Sequence, residues 1–235
     1  MDLEENKRKI LTWWDILVLT ILMLGSAIYT STIAFLGLPA DSILENAVGY
    51  SATEDIYIIC SELVILVLVL LYLKLRRFDF SRWKIRFTPM AALRGIILYM
   101  VTALGMDLFM IAANGLSEKP VLISYGMGLG EYLLSVNALT LLVSVINGTF
   151  EELYFFGICT AVSEKWEKQA FLFALLIRIS FHTYQGIFSA LGIGLVMGIV
   201  YYAAYERDKG KNLFPFFFAH MIADIIGLGL MGFLV

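Results

Sequence analysis

Long apolar runs separated by short polar connectors set the rhythm of this chain. Runs near 11–37, 55–73, 89–113, 132–161, 169–185, 187–205 and 212–235 each approach the ~20 apolar residues a helix needs to cross a bilayer. The pattern predicts an all-α polytopic membrane protein with about seven transmembrane helices. The first run is too long for a signal-peptide core and reads as a retained span. No solenoid-like repeat and no Pro/Ser-rich linker interrupts the chain, so residues 1–235 read as one membrane domain. Three spans fall in 1–131, and four more in 132–235 form a C-terminal core. One stretch strains the pattern. Two spans within 170–205 have ~54 Å of helix to share, against the ~60 Å of two full crossings. Thr183, Tyr184, Gln185 and Gly186 therefore read as a tight, partly buried turn that stops short of the far face. Such a turn is tolerated only where protein or a wet cavity covers its backbone.

Composition sharpens this reading. The chain is 60% hydrophobic and 16% charged, far from the near-half apolar and quarter charged usage of soluble domains. A soluble enzyme, a secreted scaffold and a disordered tail are excluded. A net charge of −3 leaves no nucleic-acid footprint. Cys60 and Cys159 lie inside apolar runs and read as membrane-buried thiols rather than a disulfide. The distribution of charge says more than its sum. Fourteen of the 17 basic residues lie in the N-terminus (Lys7, Arg8, Lys9) and in the connectors after spans two, four and six. The connector 74–86 alone carries Lys74, Arg76, Arg77, Arg82, Lys84 and Arg86. The opposite connectors carry Asp41, Glu45, Glu54, Asp55, Glu118 and Glu131, with Lys119 as their one cation. By the positive-inside rule the N-terminus is cytoplasmic and the C-terminus extracytoplasmic. The aromatic residues interleaved with 74–86 suit anionic headgroups, and Trp13, Trp14 and Trp166 suit interfacial anchoring.

Ionisable side chains inside spans are costly and usually face the bundle interior. Asp15, Glu62, Asp107, Glu151, Glu152, Arg178, His182, His220 and Asp224 all lie there. Measured from the cytoplasmic ends of their spans, Glu151 is ~16 Å deep, His182 ~20 Å, His220 ~12 Å and Asp224 ~18 Å. Three helices thus bring four functional groups to one layer. His220 and Asp224 share a helix face, as do Asn147 and Glu151. Adjacent Glu151 and Glu152 point ~100° apart, so one serves a cavity and the other pairs with a neighbouring helix. Asp15, Glu62 and Asp107 read instead as packing groups between helices. A carboxylate in this layer can take a proton from water, and imidazoles can bind that water or a developing oxyanion. His/His/Glu with an open position is also a zinc set, and pumps use the same residue types for proton or cation relay.

The C-terminal ~100 residues resemble the CPBP family of CAAX proteases and bacteriocin-processing (Abi) peptidases. Glu151-Glu152-Leu-Tyr-Phe-Phe156-Gly157 resembles its Glu-Glu-x-x-x-Arg motif. Arg178-Ile-Ser-Phe-His182 is similar to its Phe-x-x-x-His motif, and His220-Met-Ile-Ala-Asp224 fits His-x-x-x-Asn/Asp. The resemblance implies an intramembrane endopeptidase of a bacterial cell membrane, cutting a hydrophobic or lipidated peptide. Glu151 and His182 would activate water, while His220 and Asp224 would stabilise the oxyanion. Glu152, Arg178 and Asn147 would support them. Glu151, His182 and His220 would be the ligands if zinc or another divalent metal takes part, and a metal-free, glutamate-bound water fits the resemblance as well. Two positions depart from the family. Phe156 stands where the first motif has Arg, and Arg178 where the second has Phe. The expectation is that Arg178 replaces the missing cation and pairs with Glu152 or Glu151. The alternative is a catalytically inactive partner on the same fold, such as an immunity protein or a regulator of a sensor kinase.

Overall fold

A computed structural model describes residues 10–37, 52–115 and 128–233. Its principal helices are α1 Trp13–Gly37, α2 Ala52–Leu75, α3 Pro89–Asn114, α4 Leu129–Ser135, α5 Ala138–Ile158, α6 Glu167–Ser180, α7 Ile187–Arg207 and α8 Phe214–Ile226. Among the described residues, six helical stretches are long and apolar enough to span a bilayer. The protein is an integral membrane protein. The fifth expected span is α6, whose 14 residues reach only ~21 Å. The basic run at 7–9 and the connector residues Asp41, Glu45, Glu118 and Lys119 lie outside the described residues.

Polar and special residues place the helix ends. Thr88 caps α3 by accepting from the Ala91 amide, and Pro89 supplies the fixed φ of a first turn. Asn137 caps α5 by accepting from the amides of Leu139 and Thr140. Two helices are locally unwound. α5 passes into a π-helical turn at Leu153–Ile158, directly after Glu151 and Glu152, and α7 contains another at Gly192–Met197. In π turns, a form frequent at functional sites, backbone groups leave the ordinary ladder. The Gly157 carbonyl accepts from the Trp83 indole at 2.9 Å.

Packing centres on α8, which lies against α3 and α5. Thus α3, from the N-terminal half, belongs to the same packed group as the C-terminal helices. Gly148 allows the close approach of α5 and α8, since a Cβ there would stand 3.0 Å from the Met221 amide nitrogen. Asp15 and Asp107 have the packing roles expected of them. Asp15 accepts from Thr12, Tyr72 and both Nε and Nη2 of Arg76, clamping α1 to the end of α2. Asp107 accepts from the Leu230 and Met231 amides and holds the segment beyond α8. Cys159 is buried, whereas Cys60 is exposed on α2.

The basic connectors meet at one end of the bundle. The Leu11 amide donates to the Ala161 carbonyl, Lys84 and Asn212 form a β-bridge, and Asn212 binds the backbone of Arg86 in both directions. At the inner end of α6 the expected turn forms as a 3₁₀ segment, Thr183–Gln185. Its polar groups are covered by protein. Ser31 of α1 accepts from the Tyr184 amide at 2.9 Å and donates to Thr183 Oγ1, whose own hydroxyl donates to the Ser180 carbonyl. Gly186 leaves the turn at φ 90°, ψ 154°, a region essentially closed to residues with a Cβ. Gly186→Ala is expected to cost about 1–3 kcal/mol, and Ser31→Ala to remove two hydrogen bonds from the same turn. Both should lower the thermal midpoint of the purified protein in detergent. Unchanged midpoints would contradict a pinned turn.

Candidate active site

The site is built where α5, α6 and α8 meet. α5 presents two adjacent carboxylates at the edge of its π turn. Glu152 is fully buried, and its two oxygens each accept from one terminal nitrogen of Arg178 at 2.9 Å. Arg178 is itself 2% exposed, so this is a two-pronged ion pair sealed from lipid and water. The guanidinium also stacks on the Phe155 ring, 3.7 Å from its centroid. Of the two partners expected for Arg178, the structure selects Glu152. Phe156 occupies the motif-one cation position and packs among Tyr201, Tyr205 and Phe216.

Glu152 has a second partner. Its Oε1 accepts from His220 Nδ1 at 2.5 Å, which fixes the ring and turns Nε2 to the opposite side. That nitrogen faces Asp224 Oδ1 at 3.4 Å and Glu151 Oε2 at 3.8 Å. Asn147 donates to the other Asp224 oxygen at 2.9 Å, so one hydrogen bond joins α5 to α8, and Glu151 faces His220 across the same gap at 3.8 Å. His182 follows the end of α6, where its Nδ1 donates to the Arg178 carbonyl at 2.8 Å. A carbonyl can only accept, so the neutral ring carries its proton on Nδ1 and leaves Nε2 as an acceptor. Among the described residues Glu151 Oε2, which is buried, has no hydrogen-bond partner.

Residues 134–226 match the family model described as type II CAAX prenyl endopeptidase Rce1-like. The chain carries an Rce1-like segment. No curated protein and no solved structure matches the chain. The Rce1-like segment contains every residue that the three motifs single out, and the family is one of CAAX prenyl endopeptidases.

Two further features bear on this segment. Among the described residues no group of three or more His, Cys, Asp or Glu side chains is arranged to hold a metal ion. Each histidine has one ring nitrogen committed to the protein, and Glu151, His182 and His220 are not assembled as a ligand set. A cavity of about 280 Å³ lies between α5, α6 and α7, lined by Phe155, Phe156, Phe171, Tyr202 and Arg178 among others. Arg178 both borders this cavity and bonds the carboxylate cluster.

Glu62 was expected as a packing group between helices. It lies on α2, which packs against α5 and is outside the Rce1-like segment, and its Oε2 is buried with no hydrogen-bond partner among the described residues. Glu62 stands 13 residues before Leu75, or ~20 Å from the basic end of α2, the same layer as the motif residues.

Breaking a buried pair strands a charge and costs on the order of 3–5 kcal/mol, whereas removing both partners together can be nearly neutral. Arg178→Met is therefore expected to destabilise strongly. Combining it with Glu152→Gln, which keeps an acceptor for His220, should recover at least half of the loss. Chemical or thermal unfolding in detergent reads this directly, and a double variant no more stable than Arg178→Met would contradict the pairing.

Proposed function

We propose that this protein is an intramembrane endopeptidase that hydrolyses a peptide bond of a hydrophobic or lipidated substrate with a water activated by Glu151. The observation that carries this reading is the Glu151 Oε2 atom, buried and unpartnered beside an imidazole whose other nitrogen is fixed by Glu152. A carboxylate in so dry a setting is poised to accept a proton from water.

The roles assigned in this reading are these. Glu151 takes the proton of the attacking water, and His182 accepts that water's other hydrogen at Nε2. His220 is held between Glu152 at Nδ1 and Asp224 at Nε2, so both ring nitrogens face carboxylate oxygens. Its Nε2–H then donates to the oxygen that becomes negative as the carbonyl is attacked. Arg178 keeps Glu152 charged and in place, and Asn147 orients Asp224. The cavity beside Arg178, whose lining combines aromatic rings with Glu167, Glu206 and Lys211, takes part of the substrate in this reading. With the basic connectors cytoplasmic, the site is entered from the cytoplasmic side.

The departure at Phe156 raised the reading of an inactive partner protein. The bidentate Arg178–Glu152 pair supports activity instead, because the cation is present on a different helix. Glu151→Gln should reduce turnover by about 10²- to 10⁴-fold at unchanged protein level. Comparing membrane and secreted peptides from cells carrying either form would reveal new termini only with the wild type. Identical peptide sets would move the function to a non-catalytic role.

A further inference from the structure

No step of the proposed hydrolysis uses the connector between α2 and α3, residues 76–88. It joins two membrane-spanning helices, so it lies where the hydrocarbon core gives way to headgroups. It carries five cations, Arg76, Arg77, Arg82, Lys84 and Arg86, against one acid, Asp79. Arg76 is committed to Asp15, and Asp79 Oδ1 accepts from the amide and hydroxyl of Ser81. The other four cations are exposed, and among the described residues none of them forms an ion pair. Phe80, Ile85 and Phe87 are exposed between them. Arg77 closes α2 in left-handed backbone at φ 56°, with the Arg77 and Phe78 amides donating back to the Lys74 and Leu73 carbonyls. Glycine is the usual residue in that closing position, and here a cation stands there instead.

The connector is tied to the site. Phe78 is buried and packs with Phe80 and Trp83. The Trp83 indole donates to the Gly157 carbonyl in the π turn of α5, at 2.9 Å. The Lys84 carbonyl accepts from the Leu213 amide, and Asn212 holds the Arg86 backbone at both its amide and its carbonyl. The same short segment thus grips the turn that follows Glu152 and the start of the helix that carries His220.

We infer that residues 76–88 form a docking surface for the anionic lipid headgroups of the surrounding bilayer, and that a headgroup bound there braces the π turn of α5. Guanidinium groups offer forked donors to phosphate oxygens. The exposed rings enter the acyl boundary beside them, as in other basic and aromatic interfacial segments. An acidic polypeptide would satisfy the cations but would leave those rings without an apolar layer. The inference stands apart from the reaction and holds whether or not a peptide is cleaved.

The test titrates the full-length protein in detergent with phosphatidylglycerol or phosphatidylcholine and counts bound lipids by native mass spectrometry. The wild type should prefer phosphatidylglycerol. Changing Arg77, Arg82 and Lys84 together to Gln should cut that preference by about tenfold or more. Changing Lys165, Lys168 and Lys209 to Gln removes the same charge from other connectors and should leave it within about twofold. No preference in the wild type, or equal losses in the two triple variants, overturns the docking surface. Inorganic phosphate or polyglutamate bound in place of the lipid overturns it as well, by assigning the cations to a free anion or an acidic partner. Hydrogen exchange reads the brace. Phosphatidylglycerol should slow exchange of the 153–162 amides several-fold in the wild type. Trp83→Phe keeps a ring but loses the indole N–H, and it should bind the lipid while losing that protection. Unchanged exchange in the wild type, or full protection in Trp83→Phe, overturns the brace.

Discussion

A guanidinium and a carboxylate that are both sealed from water must satisfy each other, and most of this site is arranged around that requirement. Glu152 and Arg178 meet in a two-pronged pair within the bundle, where an unmatched charge would cost several kcal/mol. The remaining lone pairs of Glu152 are then free to hold His220, and holding His220 by Nδ1 aims Nε2 at Glu151 and Asp224. The backbone carbonyl of the same Arg178 fixes His182. The ion pair therefore orients His220, and the backbone of the residue that supplies its cation holds His182.

The fold supplies what that pair needs. α8 lies between α3 and α5, and Gly148 brings the Asn147–Glu151 face of α5 within reach of the His220–Asp224 face of α8. α6 is too short to cross the bilayer alone, and its inner end is a turn that would expose polar backbone in lipid. Ser31 of α1 closes that turn, which holds His182 at depth. The N-terminal helices are thus part of the site's construction, with α1 bracing the turn and α2 bringing Glu62 to the same layer.

Much of this was legible in the sequence because membrane burial leaves few options for charge. Ionisable residues stand out against apolar runs, and depth along a helix is simple arithmetic, so the convergence of Glu151, His220 and Asp224 could be read in advance. The length of 170–205, too short for two full crossings, likewise implies the truncated α6. Other features were not legible. Nothing in Leu153–Ile158 announces a π turn, because its residues pack equally well on an α-helix. The choice of Glu152 over Glu151 as the partner of Arg178 depends on a ~100° rotation, which residue spacing alone does not assign to a neighbour. Glu62 belongs to no motif, and its depth along α2 is the one sign in the sequence that it reaches the same layer.

The account turns on water, activated by Glu151, as the group that attacks the scissile carbonyl. The most direct measurement is a single turnover of a prenylated peptide ending in a CAAX sequence by the purified protein in vesicles made with water labelled with heavy oxygen. The account predicts that the label enters the newly formed carboxylate of the product in that first turnover and that Glu151 remains unlabelled. Heavy oxygen recovered in the Glu151 carboxyl, with an unlabelled first product, would show that the carboxylate attacks the peptide itself and would contradict it.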